Sequence, residues 1–210
     1  MHIGLVIYDA AINFKPGDAD AFTGRGSAHV KLGNHRAAIA DARAAIQADK
    51  TDPRVKYMPP DLVHSYWSMR LAPETTAALR TRYRTCAGLV RSMHRAGVPF
   101  LAGTDTINPF VFPGFSLHDE LGLLVAEGGF TPLEALQSAT REPARFLGRE
   151  KDLGTVEPGK LADLVLLEAD PLADIHNTTK IAAVVANGRL LPRRELDRML
   201  AKVAAANKQK

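Results

Sequence analysis

The chain has 210 residues, of which 46% are hydrophobic and 24% are charged, and its formal net charge is +4. These proportions are typical of a globular protein with a buried core and exclude a largely disordered chain. The single cysteine excludes an internal disulfide and a cysteine-rich zinc site. Neither a signal peptide nor an apolar run of about 20 residues is recognisable, which predicts a cytoplasmic protein with no membrane partner.

The first 50 residues contain a repeated pattern. Residues 8–18, YDAAINFKPGD, align with residues 42–52, ARAAIQADKTD, at an offset of 42 − 8 = 34 residues. Between the two copies, Gly26 and Ala38 would let two antiparallel helices approach closely. The period and the small residues resemble a tetratricopeptide repeat. This resemblance implies an α-helical hairpin over residues 1–50, with a surface for a protein partner; a generic Ala-rich hairpin is the alternative.

A proline-rich segment separates this region from the rest of the chain. Residues 50–60, KTDPRVKYMPP, carry three prolines and cannot continue a helix. We therefore assign residues 51–210 to a second domain. From about Pro73 to Ala96 apolar residues recur at helical spacing, and Gly97 suits a C-terminal stop. The pattern predicts a long helix here.

A short apolar segment and an acidic residue follow the long helix. Val98–Ala102 has the composition of a buried strand, and Asp105 comes three residues after it. A helix, a short strand and an acidic residue at the end of that strand form a unit of (β/α)₈ barrels, whose chemistry lies at the C-terminal strand ends. A carboxylate in that place is well situated to meet a divalent cation. Asp105 is therefore the first candidate site residue; a turn or N-cap carboxylate is the alternative.

Helices and strands are predicted for the remainder of the chain. Thr131, with Glu134 three residues later, predicts the N-terminus of a helix. Both faces of the first predicted strand are apolar, so we expect it to be covered on both sides. The predicted helices span about 117–127, 132–140, 143–148 and 194–206, and the predicted strands span 162–168 and 181–186.

Four segments, taken together, resemble the C-terminal part of the amidohydrolase superfamily, close to its imidazolonepropionase-like and prolidase-like members. They are AGTDTINPFVFPG (102–114), SLHDELGLLVAEGGFTPLEALQSAT (116–140), EPARFLG (142–148) and LGTVEPGKLADLVLLEADPL (153–172). The resemblance implies an α/β fold, with the C-terminal portion of a (β/α)₈ metal-hydrolase barrel and a small β element. It also implies hydrolysis of a C–N bond in a small-molecule substrate, either an amide, a cyclic amide or a dipeptide.

The same resemblance implies roles for individual residues. In that superfamily the aspartate that matches Asp105 binds the catalytic divalent metal, for which zinc is the first expectation. It also takes the proton from the attacking water. For His118 the alternative is a local capping or packing role. The candidates for substrate contact lie in the loop and helix that follow and are Asn108, His118, Glu120, Phe110 and Phe112.

The superfamily's metal site also needs an H-x-H pair, a second carboxylate or modified lysine, and further histidines. The chain has seven histidines, and no two of them are spaced i, i+2. Catalytic zinc takes about three protein ligands, and Asp105 supplies one. We therefore expect an incomplete hydrolase that is inactive alone, the product of a fusion or a truncated reading frame. The alternative is a non-enzymatic helical-repeat protein that binds a protein partner through residues 1–50; no motif favours a nucleic-acid partner.

Overall fold

The computed structural model of the protein describes residues 52–68, 73–105 and 111–208. The tetratricopeptide-like hairpin predicted for residues 1–50, with its protein-binding surface, lies outside these ranges, as do Asn108 and Phe110. The chain divides into two compact units between Thr75 and Thr76. The described elements mix helices and strands, as an α/β fold requires.

In chain order, a part that contains only helices precedes a part that contains the strands. The first part contains a short 3₁₀ helix (Val55–Tyr57), α1 (Pro60–Ser68), α2 (Pro73–Arg95), α3 (Ser116–Ala126), α4 (Pro132–Ser138) and α5 (Arg141–Phe146). The second part contains β1 (Leu164–Leu167), a second 3₁₀ helix (Ile175–Thr179), β2 (Ile181–Ala186), β3 (Arg189–Pro192) and α6 (Arg193–Lys208). Each predicted helix from α2 onward is present, as are the strands predicted at 162–168 and 181–186, with ends that shift by up to a few residues. β3 is an additional strand that the alternating pattern did not predict.

The described start of the first unit is held by a local ion pair. The carboxylate of Asp52 accepts a hydrogen bond from the Arg54 backbone N–H at 2.8 Å and lies 2.8 Å from the Arg54 guanidinium. Desolvation raises the pKa of Asp52, but the hydrogen bonds and charge of Arg54 together hold it below its usual value. These contacts begin the 3₁₀ helix, which leads to the buried Met58.

The core of the second unit lies between α3, α4 and the second 3₁₀ helix. Leu121 and Leu124 are three residues apart on α3 and therefore share a face. Phe130 is buried, and its ring stacks on the His94 ring at 3.9 Å and meets the Phe100 ring edge-on at 5.3 Å. The buried cluster consists of Leu121, Leu124, Phe130, Ala135 and Ile175.

The beginning of α4 confirms the predicted capping pattern. The backbone N–H of Glu134 donates to the Thr131 hydroxyl at 3.3 Å, and the Thr131 backbone N–H donates to the Glu134 carboxylate at 2.7 Å. These reciprocal bonds satisfy two amides that no helical carbonyl can reach. They explain why α4 starts at Pro132, directly behind the buried Phe130.

The apolar segment Val98–Ala102 does not form the predicted strand. A strand needs a neighbouring strand to accept its backbone hydrogen bonds. The backbone N–H of Ala102 instead donates to the carbonyl of Ser138, at the end of α4, at 2.9 Å. The segment is therefore held by a helix terminus, while Phe100 and Ala102 pack against the buried cluster.

The strands form one antiparallel sheet in the order β1-β2-β3. Asn187 and Gly188 connect β2 to β3 with φ angles of 50° and 74°, as a two-residue hairpin turn requires. The prediction that β1 is covered on both sides is wrong for the described residues, since Val165 is 56% exposed and Leu166 is 64% exposed. Successive residues of a strand point to opposite faces, so the described residues leave both faces of β1 partly uncovered.

The C-terminal helix α6 packs against the sheet. The guanidinium of Arg193, in its first turn, donates to the Ile181 carbonyl at 3.2 Å and so ties the helix to β2. Over the described part of the chain, no helix combines the length and the apolar character needed to cross a membrane.

Candidate active site

Asp105 follows the segment Val98–Ala102, whose residues Phe100 and Ala102 pack against the buried cluster. Its side chain is exposed, and its backbone has φ +49°, in the left-handed region. Asp is tolerated there better than most residues, but the conformation still costs on the order of 1 kcal/mol. The packing of Phe100 and Ala102 behind it keeps this end of the segment in place. The Asp105 carboxylate is therefore exposed at the end of an irregular segment that packs against the buried cluster.

Glu120 of α3 lies near the end of this segment. Burial raises the pKa of Glu120, and the negative charge of Asp105 raises it further, against the opposing effect of the Gly103 backbone amide. Two carboxylates are therefore close enough to interact at the end of the segment.

His118 faces a different part of the molecule. Two residues along an α-helix correspond to a rotation of about 200°, so His118 and Glu120 lie on opposite faces of α3. The Nδ1 atom of His118 is 3.0 Å from the Thr178 hydroxyl, in the second 3₁₀ helix. The sequence placed His118 and Glu120 together as candidates for substrate contact, whereas the structure brings Glu120 alone toward Asp105.

The hydrogen bonds around Thr178 define the state of the His118 ring. The Thr178 hydroxyl donates its one hydrogen to the Ile175 carbonyl at 2.8 Å, so it accepts a hydrogen bond from Nδ1–H of His118. Burial lowers the pKa of His118, although the charge of Asp119 acts in the opposite direction. The ring is therefore held as a neutral imidazole at pH 7, with its lone pair on Nε2.

Phe112 belongs to the interior. Its side chain is 5% exposed, and its backbone N–H donates to the Ser116 hydroxyl at 2.9 Å, at the beginning of α3. A buried ring cannot meet a substrate without a rearrangement, so this residue supports the start of α3. The burial of Phe112 therefore does not support the predicted contact with substrate.

A catalytic zinc ion takes about three protein ligands and a water molecule. Within residues 52–68, 73–105 and 111–208, no group of three His, Cys, Asp or Glu side chains is arranged to hold a metal ion. Asp105 can serve as one ligand. The described residues therefore do not fit a complete zinc site.

A model of the amidohydrolase family matches residues 26–191. Because this match covers most of the chain, the protein belongs to the amidohydrolase family. The match includes Asp105 and the segments in which the resemblance was recognised. It also begins inside residues 1–50, and no comparison supports a tetratricopeptide-like hairpin there.

Individual relatives match shorter parts of the chain. The imidazolonepropionase of Shouchella clausii (strain KSM-K16) is 43% identical over 79 residues, which are 38% of this chain and 17% of that protein. The ochratoxinase of Aspergillus niger is 40% identical over 82 residues, which are 39% of this chain and 16% of that protein. The chain thus spans about a sixth of the length of these relatives.

A solved structure of a Xaa-Pro dipeptidase, with methionine bound in its active site, shares the fold. The two superpose with a TM-score of 0.50 at 21% sequence identity, over 83% of this chain and 49% of the dipeptidase. The similarity therefore shows a fold shared with part of the dipeptidase chain.

Proposed function

We propose that this chain provides part of the active site of a hydrolase that cleaves a C–N bond in a small amide, cyclic amide or dipeptide. Membership of the amidohydrolase family supports the reaction class. The observation that carries the proposal is the exposed carboxylate of Asp105, which ends a segment that is packed from behind against the buried cluster. The substrate range follows from relatives named imidazolonepropionase and ochratoxinase and from the fold shared with a Xaa-Pro dipeptidase.

Hydrolysis of an amide needs a group that moves protons at the reacting bond. The attacking water loses a proton as its oxygen bonds to the carbonyl carbon, and the departing nitrogen gains one. A positioned carboxylate can take up the first proton and return it to the nitrogen, which is worth about 10²- to 10⁴-fold in rate. We assign this role to Asp105. Family membership also favours a divalent cation, zinc first, with Asp105 as one of its ligands.

The proposal is tested with Asp105→Ala and Asp105→Asn, assayed on imidazolonepropionate, ochratoxin and a Xaa-Pro dipeptide with added zinc. Where the wild type hydrolyses a substrate, alone or with a chain that completes the site, loss of a general base should lower kcat by about 10²-fold or more in both variants. Zinc carried through gel filtration by the wild type should be lost from Asp105→Ala. Asp197→Asn is the matched control, because it removes one exposed carboxylate from α6 and should keep full activity.

Two results would contradict the assignment. One is a wild-type chain that retains no more zinc than Asp105→Ala. The other is an Asp105→Ala variant as fast as the wild type. Thermal unfolding of each variant separates loss of chemistry from loss of the fold, since an exposed side chain should change the free energy of unfolding by no more than about 1 kcal/mol.

A further inference from the structure

The turn between β2 and β3 carries the only Asn-Gly pair of the chain. Asn187 and Gly188 are both exposed, and the residues before and after them, Ala186 and Arg189, are paired across the two strands. The two residues therefore form the whole loop at the tip of the hairpin. The side chain of Asn187 and the peptide bond that follows it are both open to water.

The side-chain amide of Asn187 is not held by a neighbour. Among the residues that the structure describes, none forms a hydrogen bond with this amide group. The backbone N–H of Asn187 instead donates to the Asp163 carboxylate at 2.8 Å. The main chain of the turn is therefore tethered next to β1, while the amide group can rotate about its side-chain bonds.

The backbone nitrogen of Gly188 is equally unobstructed. Gly188 has no Cβ, and a Cβ built there would meet no described atom within 4 Å. Glycine also has more backbone freedom than any other residue. The peptide between the two residues can therefore rotate until the Gly188 nitrogen reaches the side-chain carbonyl carbon of Asn187, where a new bond would close a five-membered ring.

Asn177 is in the opposite situation in the same chain. Its side-chain amide donates to the Asp170 carbonyl at 2.7 Å and is therefore fixed. The next residue is Thr178, which is 5% exposed and has a β-branched side chain that hinders its own backbone nitrogen. Asn177 thus provides an internal reference for an asparagine that the fold protects.

We propose that Asn187 is a modification site, at which the folded protein loses the side-chain amide without an enzyme. A hydroxide ion removes the proton of the Gly188 nitrogen, which then bonds to the side-chain carbonyl carbon of Asn187. The bond from that carbon to the amide nitrogen breaks, and the nitrogen takes a proton from water and leaves as ammonia. Because the two groups belong to adjacent residues, the attack is intramolecular and is strongly favoured over attack by a separate molecule.

The ring that forms is a succinimide, and water is the co-reactant that opens it. Attack at one ring carbonyl gives aspartate, and attack at the other gives isoaspartate, in which the main chain runs through the side-chain carbon. Isoaspartate lengthens this short loop by a carbon atom, and either product places a new negative charge near Asp163. Since like charges repel, the modification loosens the hairpin, whose second strand leads directly into α6.

This inference is independent of the proposed hydrolase activity and is tested on the full chain, kept folded at 37 °C and pH 9. Peptide mass analysis follows the conversion of each side-chain amide to an acid. The reaction at Asn187 should be at least about tenfold faster than at Asn177, because Asn187 alone of the two has a free side chain and an unhindered neighbour. The products at Asn187 should include both aspartate and isoaspartate.

Asn187→Gly is the control variant, because glycine suits the same turn and has no amide to lose. In the reacted wild type, the backbone amides of β2 and β3 should exchange with solvent faster than in this variant. Equal exchange rates would overturn the loosening of the hairpin.

A parallel incubation in urea separates the effect of the fold from that of the sequence. The tip of a hairpin opens locally at little cost, so the folded chain should react within about tenfold of the rate of the unfolded chain. A folded chain that reacts more slowly than this would overturn the proposal, because the turn would then protect Asn187. An Asn187 amide as long-lived as that of Asn177 would overturn it too. So would aspartate without isoaspartate, since direct hydrolysis of the amide forms no ring.

Discussion

The second unit contains two regions that differ in how their apolar side chains are covered. Around Phe130, which is 6% exposed, three helices and the segment before Asp105 meet. In the small sheet, the described residues leave Val165 and Leu166 more than half exposed. Precise placement of a functional group needs rigid support from packed neighbours. The candidate site lies beside the well-packed region around Phe130. Substitutions in that region should lower the free energy of unfolding most.

The largest expected effect is a direct test of that difference. Phe130→Ala removes a ring that stacks on His94 and contacts Phe100, and it should lower the free energy of unfolding by about 3–5 kcal/mol. Leu166→Ala, in the exposed edge strand, should cost no more than about 0.5 kcal/mol. Urea unfolding of both variants measures the two values. Equal losses would show that the sheet is covered as well as the helical core.

A smaller effect is expected at Gly154, in the loop that leads from the helices to the sheet. A Cβ there would lie 2.7 Å from the Cβ of Ala144, and the residue has φ +92°. Gly154→Ala should therefore cost about 2 kcal/mol or more, from overlap and backbone strain together. Gly159→Ala is the matched control, since its φ is +90° but nothing lies within 4 Å. It should cost about 1 kcal/mol, and thermal unfolding that ranked the two the other way would reject the steric explanation.

The smallest effect concerns the contact by which α3 meets the second 3₁₀ helix, which leads into β2. Burial lowers the pKa of His118, so the folded state favours the neutral ring. The contribution of His118 to stability is therefore present above pH 6.5 and is lost as the pH falls through its lowered pKa. Urea unfolding should give a lower free energy at pH 5.5 than at pH 7.5. In His118→Gln the free energy of unfolding should change less between pH 5.5 and pH 7.5. If it changes as much as in the wild type, other groups cause the pH dependence.

The helices were the most predictable part of the fold. The periodicity of α2 and its glycine stop located its C-terminal end to within one residue, and Thr131 with Glu134 located the start of α4. These signals are local, because a helix satisfies its backbone within its own segment. Val98–Ala102 was misassigned for the opposite reason. An apolar run becomes a strand only if another strand lies beside it, and here its partner is the end of α4.

From the sequence alone, the amidohydrolase family, the helical pattern and Asp105 as the leading candidate could be derived, because each depends on neighbouring residues or on ordered motifs. The sequence could not separate His118 from Glu120, since both follow Asp105 by a similar distance along the chain. Only the tertiary structure decided this. The rotation of α3 sends the His118 side chain to Thr178 and the Glu120 side chain toward Asp105, and the packing of Leu121 and Leu124 into the core fixes that rotation.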